Sequence, residues 1–189
     1  MNEAAYNTPI LAENIERRIE TKLLGKRIFA FEKLGSTNNF AKRLVQNGEG
    51  EGTLVIANHQ TSGRGRYDRR WHAPANLGLW FSIVLQPRLP GEKFGILSLL
   101  AAVAVAKSVE AITRLSPELK WPNDVLVNLK KISGILIESQ LWKKERDSLV
   151  LGIGVNVNQS EADFPTELRN LATSLRIESG ERVDRTHLL

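Results

Sequence analysis

Between Leu119 and Asn158 three strand-like runs, "LKWPNDVLVN", "KISGILIESQLW" and "SLVLGIGVNVN", follow one another with only short connections. A parallel neighbour needs a crossover of a dozen or more residues, so these runs pair as hairpins in an antiparallel or mixed sheet. "TLVIAN" adds another strand, "RIFAFEKL" one with β-like alternation, and "LGLWFSIVLQP" one apolar enough to be covered on both faces. Helical signals lie between them. Thr8-Pro9 opens a segment with Ile10, Leu11, Ile15, Ile19, Leu23 and Leu24 at helical spacing, closed by Gly25. "STNNFAKRLVQNG" reads as a helix capped by Ser36 or Thr37 and ended by Gly48. "ILSLLAAVAVAKSVEAI" reads as a buried helix whose small residues permit close packing. The expected class is α+β: a mixed, mainly antiparallel sheet flanked by helices.

At 189 residues the chain suits one core. Residues 1–26 read as a helical segment leading into a domain over 27–189. The absence of cysteine removes disulfides, thiolate metal sites and cysteine nucleophiles together. His59, His72 and His187 lack the spacing of a zinc motif. Net charge is +5, with basic residues spread from Arg17 to Arg185, so charge alone does not select DNA. The start carries no secretory pattern, and the longest apolar run is too short to span a bilayer. A soluble cytoplasmic protein is expected. The final "GERVDRTHLL" reads as a turn, an Asp184 cap and the first turn of a helix.

Four segments hold residues that a core does not require. Ser36-Thr37-Asn38 opens a helix, where a plain cap would suffice. "QTSGRGRYDRRW" sets Arg64, Arg66, Arg69 and Arg70 among Gly63, Gly65 and Asp68. Alternating glycine and arginine makes a flexible, donor-rich flap that an anion would order, and Tyr67 and Trp71 could stack on a base. "KWPND" crowds Lys120, Asn123 and Asp124 around Trp121-Pro122, which reads as a buried tryptophan followed by a turn. A lysine partly buried there would need an anionic partner. In "GIGVNVN", Gly152 and Gly154 share a strand face with Asn156, and Gly134 repeats the device in "KISGILIE". Glycines so placed mark close approach of a ligand or of another backbone.

Taken in order, "STNN", "QTSGRGRYDRRW", "KWPND", "KISGILIE" and "GIGVNVN" resemble the catalytic domain of biotin protein ligases, from about Lys33 to the last residue. The resemblance implies the class II aminoacyl-tRNA synthetase/biotin ligase-like fold. It points to a form without the N-terminal DNA-binding domain and without the C-terminal SH3-like domain. The implied reaction joins biotin and ATP, with Mg2+, into biotinyl-5′-adenylate and then passes biotin to a lysine of a biotin carboxyl carrier domain. No DNA or membrane partner is implied, and a homodimer is compatible with it. Carried over by motif, Ser36, Thr37, Asn38 and Gln60 would hold the biotin head and tail, with Gly63, Arg64 and Gly65 around its carboxylate. Arg66 and Arg69 would take the phosphates, and Trp71 would wall the loop against the nucleotide. Lys120 would lie between carboxylate and α-phosphate, and Gly134, Gly152 and Gly154 would leave bare backbone for the ligand. Asn123 would join the adenylate contacts, Asn156 would read the adenine and Phe164 would stack on it. Asp124 would orient or deprotonate the incoming lysine, and no metal ligands are assigned. Asp68 stands where the family often has glycine, which would put a negative charge in the phosphate-facing loop. Two other readings fit parts of the pattern: a lipoate or octanoyl protein ligase of the same fold, and a binding module for single-stranded nucleic acid.

Overall fold

The computed structural model describes residue 6, residues 8–142 and residues 146–189. Among these, seven strands form one sheet: β1 (Arg27–Phe31), β2 (Thr53–Ala57), β3 (Gly78–Leu85), β4 (Glu118–Lys120), β5 (Asp124–Val127), β6 (Lys130–Trp142) and β7 (Arg146–Asn156). Their order is β1-β2-β3-β7-β6-β5-β4, and only β1 and β2 run parallel. The α+β reading holds, because strands β4 to β7 form the meander that their short connections dictate. "LKWPNDVLVN" is not one strand, however. It folds back at Trp121–Asn123 so that Lys120 pairs with Asp124, and Trp121 is 79% exposed rather than buried.

The helices are α1 (Ala12–Glu16), α2 (Thr37–Gln46), α3 (Gly95–Ile112), α4 (Leu175–Ser179) and α5 (Arg185–Leu188). The helix expected from Thr8 to Gly25 shrinks to little more than one turn. Asn58 explains part of this, since its amide donates to the Ile10 carbonyl (3.0 Å) and accepts from the Ile10 N–H (2.8 Å), holding the entry in place. Ile10 and Ile15 then enter the same core as the sheet. In α2, Ser36 is the cap, its hydroxyl accepting from the Asn39 N–H.

Strand alternation builds an apolar layer on each face of the sheet. Leu54, Ile56, Phe81, Ile83, Leu151 and Ile153 face α3, whereas Val55, Val84 and Val150 face Ala41 and Val45 of α2. α3 differs from its expectation. Ala101, Ala102, Val105, Ala106 and Val109 are buried on the sheet, but Ile96 and Leu100 are 52% and 58% exposed. A helix apolar all round has only one face that a single sheet can cover. Gly91–Ile112, in which an 18-residue window has mean hydropathy 1.8, is also long and apolar enough by composition to cross a membrane, although its inner face is committed to the core.

On the α2 side the apolar layer stops short. Beyond the Val84–Val150 pair the same face carries Ser82 opposite Gly152, then Trp80 opposite Gly154, with Gly134 on the other side of Gly154. Three neighbouring glycines leave the sheet without Cβ atoms under the N-terminus of α2. A cavity opens there.

Candidate active site

The cavity measures about 550 Å³ and lies between that glycine patch, the start of α2, the arginine loop and residues 164–172. Every candidate residue from the sequence lines it except Gly63, which is buried beneath Trp71. A Cβ on Gly63 would come 2.6 Å from the Trp71 carbonyl oxygen. Among the described residues, six cationic side chains line the cavity (Arg64, Arg66, Arg69, Arg70, Lys120 and Lys131) against one carboxylate, Asp124. That balance suits an anion.

The loop is a narrow turn rather than a bare flap. Gly65 N–H donates to the Arg69 carbonyl (2.7 Å) and Trp71 N–H to the Gly63 carbonyl (2.9 Å). Tyr67 and Asp68 both take positive φ, a conformation uncommon for residues other than glycine, and they make the turn. Asp68 is 94% exposed at its side chain and is absent from the cavity lining, so its charge does not face the site. Arg66 is fixed by the Asn123 amide, which accepts from it (3.3 Å) while donating to the Ile135 carbonyl (2.8 Å).

Trp71 packs against the glycine patch. A Cβ on Gly154 would come 2.7 Å from its indole, and one on Gly134 3.0 Å. The bare backbone therefore receives the protein's own indole, with Trp80 at its edge (ring centroids 6.2 Å apart). Gly152 makes room in the same way for Asn38, whose amide oxygen would be 2.0 Å from an added Cβ. The Trp71 Nε1 is buried without a hydrogen-bond partner among the described residues.

At one end of this slot a polar chain runs through buried Ser82. Its hydroxyl is 2.7 Å from Thr37 Oγ1 and 2.6 Å from Asn38 Oδ1. Gln60 Oε1 accepts from both the Thr37 N–H and its hydroxyl. At the other end stands Lys131. Its Nζ is 2.5 Å from Asp124 Oδ1 and 5.4 Å from the Trp71 ring centroid. This is the partly buried lysine with an anionic partner that the sequence reading sought at Lys120. Lys120 instead lies exposed on edge strand β4, at the cavity's mouth. Asp124, expected to face an incoming lysine, has Lys131 as its partner.

Asn156 also departs from expectation. Its amide donates to the Thr173 carbonyl (3.0 Å) and accepts from Gln159 (3.1 Å), so it tethers the segment beside the cavity rather than presenting free groups to a base. Phe164 is 3% exposed in the wall, and His72 Nε2 is 2.8 Å from the Asp163 carbonyl. Beyond Asn38, Glu138 of β6 collects Lys42 (2.8 Å), Asn38 (2.9 Å) and Arg64 (3.4 Å). Burial alone would raise its carboxyl, but these hydrogen bonds and the charges of Lys42 and Arg64 outweigh it and hold the group below the ordinary glutamate value. Its contribution is therefore complete at neutral pH and is lost as pH falls through that lowered value. No group of three or more His, Asp or Glu residues able to hold a metal occurs among the described residues.

The model of the Biotin/lipoate A/B protein ligase family matches residues 30–156. The Bifunctional ligase/repressor BirA of Bacillus spizizenii is 44% identical over 171 residues, covering 90% of this chain and 53% of that protein. The Biotin--[acetyl-CoA-carboxylase] ligase of Mycobacterium tuberculosis is 36% identical over 170 residues, covering 85% of this chain and 60% of its own length. The chain thus spans little more than half of these relatives. Among solved structures, the biotin protein ligase from Aquifex aeolicus in complex with biotin and ATP superposes with a TM-score of 0.73 at 37% identity, covering 86% of this chain and 65% of that one.

Proposed function

Because the chain belongs to the Biotin/lipoate A/B protein ligase family, we propose that it is a biotin protein ligase, joining biotin to ATP and passing it to a lysine of a biotin carboxyl carrier domain. One observation carries the reading. A slot walled by Trp71, whose indole is seated on the glycine backbone of Gly134 and Gly154, ends at the half-buried Lys131, where the arginine loop brings further cations. An apolar acyl chain fits the slot, and its carboxylate then meets Lys131.

In the first step a biotin carboxylate oxygen attacks the α-phosphorus of ATP, and pyrophosphate leaves with the electron pair of the broken P–O bond. Two anions must meet, so fixed cations lower the barrier where negative charge accumulates, and no protein nucleophile is needed. Lys131 lies where carboxylate and α-phosphate would converge. Asp124 holds it there, and Arg66, oriented by Asn123, faces the phosphates with Arg69. Thr37, Asn38, Gln60 and Ser82 offer polar groups to the ureido head, and Phe164 offers a face to the adenine. In the second step a carrier lysine amine attacks the acyl carbon, AMP departs and the amine loses its proton. Magnesium would arrive on the triphosphate, which suits an ion that keeps most of its waters, since Asp124, the lining carboxylate among the described residues, is already paired with Lys131. The ion would neutralise phosphate charge.

Thermal unfolding separates this reading from its rivals. Biotin at about a hundred times its dissociation constant, in the presence of ATP, should add roughly 2.7 kcal/mol beyond ATP alone and raise Tm by about a further 5–10 °C for a chain of this size. Lipoate with ATP should give a much smaller shift, and so should an oligonucleotide. A shift with lipoate equal to that with biotin would move the assignment to the sister activity.

A further inference from the structure

Arg64 differs from the other arginines of its loop in what it touches. Its guanidinium donates to the Asn39 amide oxygen on α2 (3.0 Å) and lies 3.4 Å from Glu138 on β6. Glu138 stands on the same strand face as Gly134 and Leu136, one step beyond the cavity's end. It is 18% exposed at its side chain, and its oxygens are already committed to Lys42 and Asn38. The cluster therefore joins three separate parts of the chain, the loop, the first turns of α2 and β6, through one ionised carboxylate. Asn38 carries the connection onward to Ser82. Arg66, by contrast, is held among the described residues by the neutral Asn123 amide and its neighbour Tyr67, with no carboxylate pairing its charge there.

We propose that Glu138 is a positioning residue that anchors the arginine loop over the cavity, with Arg64 as the tether rather than a ligand for the substrate's anion. The proposal rests on the ligase reading only for the name of that anion. Two cations around one carboxylate leave the cluster a net charge of +1, so removing either Arg64 or the carboxylate alters balance as well as contact. The Arg64–Asp68 pair (3.5 Å) does not serve the same end, because Asp68 is exposed and lies within the loop itself. An exposed pair inside one loop contributes little and fastens it to nothing.

The test uses the unliganded chain and needs no substrate, so it fails or succeeds independently of the enzymatic assignment. Hydrogen exchange would be followed at the Gly65 and Trp71 amides, which among the described residues hydrogen-bond within the loop. Glu138→Gln should speed their exchange about tenfold, the scale of losing a charge-assisted contact, while amides of β3 and β7 stay protected. Arg64→Met should do the same, and the double variant should exchange no faster than Arg64→Met alone. Asp68→Asn should change nothing. Should Glu138→Gln also loosen the sheet, Arg64→Met carries the test, since Arg64 is a third exposed and outside the core. Unchanged loop exchange in Arg64→Met overturns the anchor, and so does full additivity in the double variant.

Discussion

Lys131→Met should slow pyrophosphate release about a hundredfold, the roughly 3 kcal/mol typical of one preorganised charge removed from a developing anion. Methionine keeps most of the side-chain volume, so the loss reports charge rather than packing. Biotin affinity should fall less than the rate, because the cation matters most where carboxylate and phosphate charges accumulate together. Lys120→Met is the informative control. Lys120 is exposed and at the mouth, where solvent screens it, so its removal should cost less than about tenfold. Single-turnover measurement of pyrophosphate release in both variants checks the ranking. A larger defect from Lys120 than from Lys131 would put the charge at the other lysine.

Gly154→Val should weaken biotin binding about 10- to 100-fold, by an overpacking cost on the order of 1–3 kcal/mol. A Cβ there already meets the Trp71 indole at 2.7 Å, and valine adds two further methyl groups. Either the indole leaves the glycine patch or the strand shifts, and in both cases the slot is remade. Valine suits a β-strand better than glycine does, so a binding defect cannot be assigned to strand propensity. Isothermal titration with biotin, beside a thermal melt showing that the variant folds, measures the effect. Unaltered affinity in a folded Gly154→Val protein would mean that biotin lies elsewhere.

What could be read in advance follows a physical pattern. Glycines in strands and arginines among glycines serve no core, so both announced the site without a fold. The hairpin order followed from connection length. Lys131 was hidden by a bulge. Strict alternation from Gly134 back along β6 would send Lys131 to the face of Ser133 and Ile135, but the register slips opposite Val125/Leu126. Ile132 therefore turns into the α3-side core, and Lys131 comes to the cavity. Ser82 was hidden differently, as the one hydroxyl in an apolar strand, legible only once Gly152 and Asn38 are known to face it. Glu138 looked like any solvent-facing residue near the end of a strand. Its partners lie 74 to 100 residues away along the chain, and no local pattern encodes such a meeting. The tether made by Asn156 was hidden for the same reason, because the carbonyl that takes its amide belongs to Thr173 on a separate segment.

The central claim is that this cavity forms an acyl-adenylate from biotin. Mass spectrometry of the small molecules bound after incubating the chain with biotin, ATP and magnesium tests it most directly. Biotinyl-5′-adenylate should be recovered with the protein, should require both substrates, and should fall sharply in Lys131→Met. Folded protein that yields no biotinyl-5′-adenylate under these conditions, or that forms the lipoyl adenylate in preference, would contradict the account.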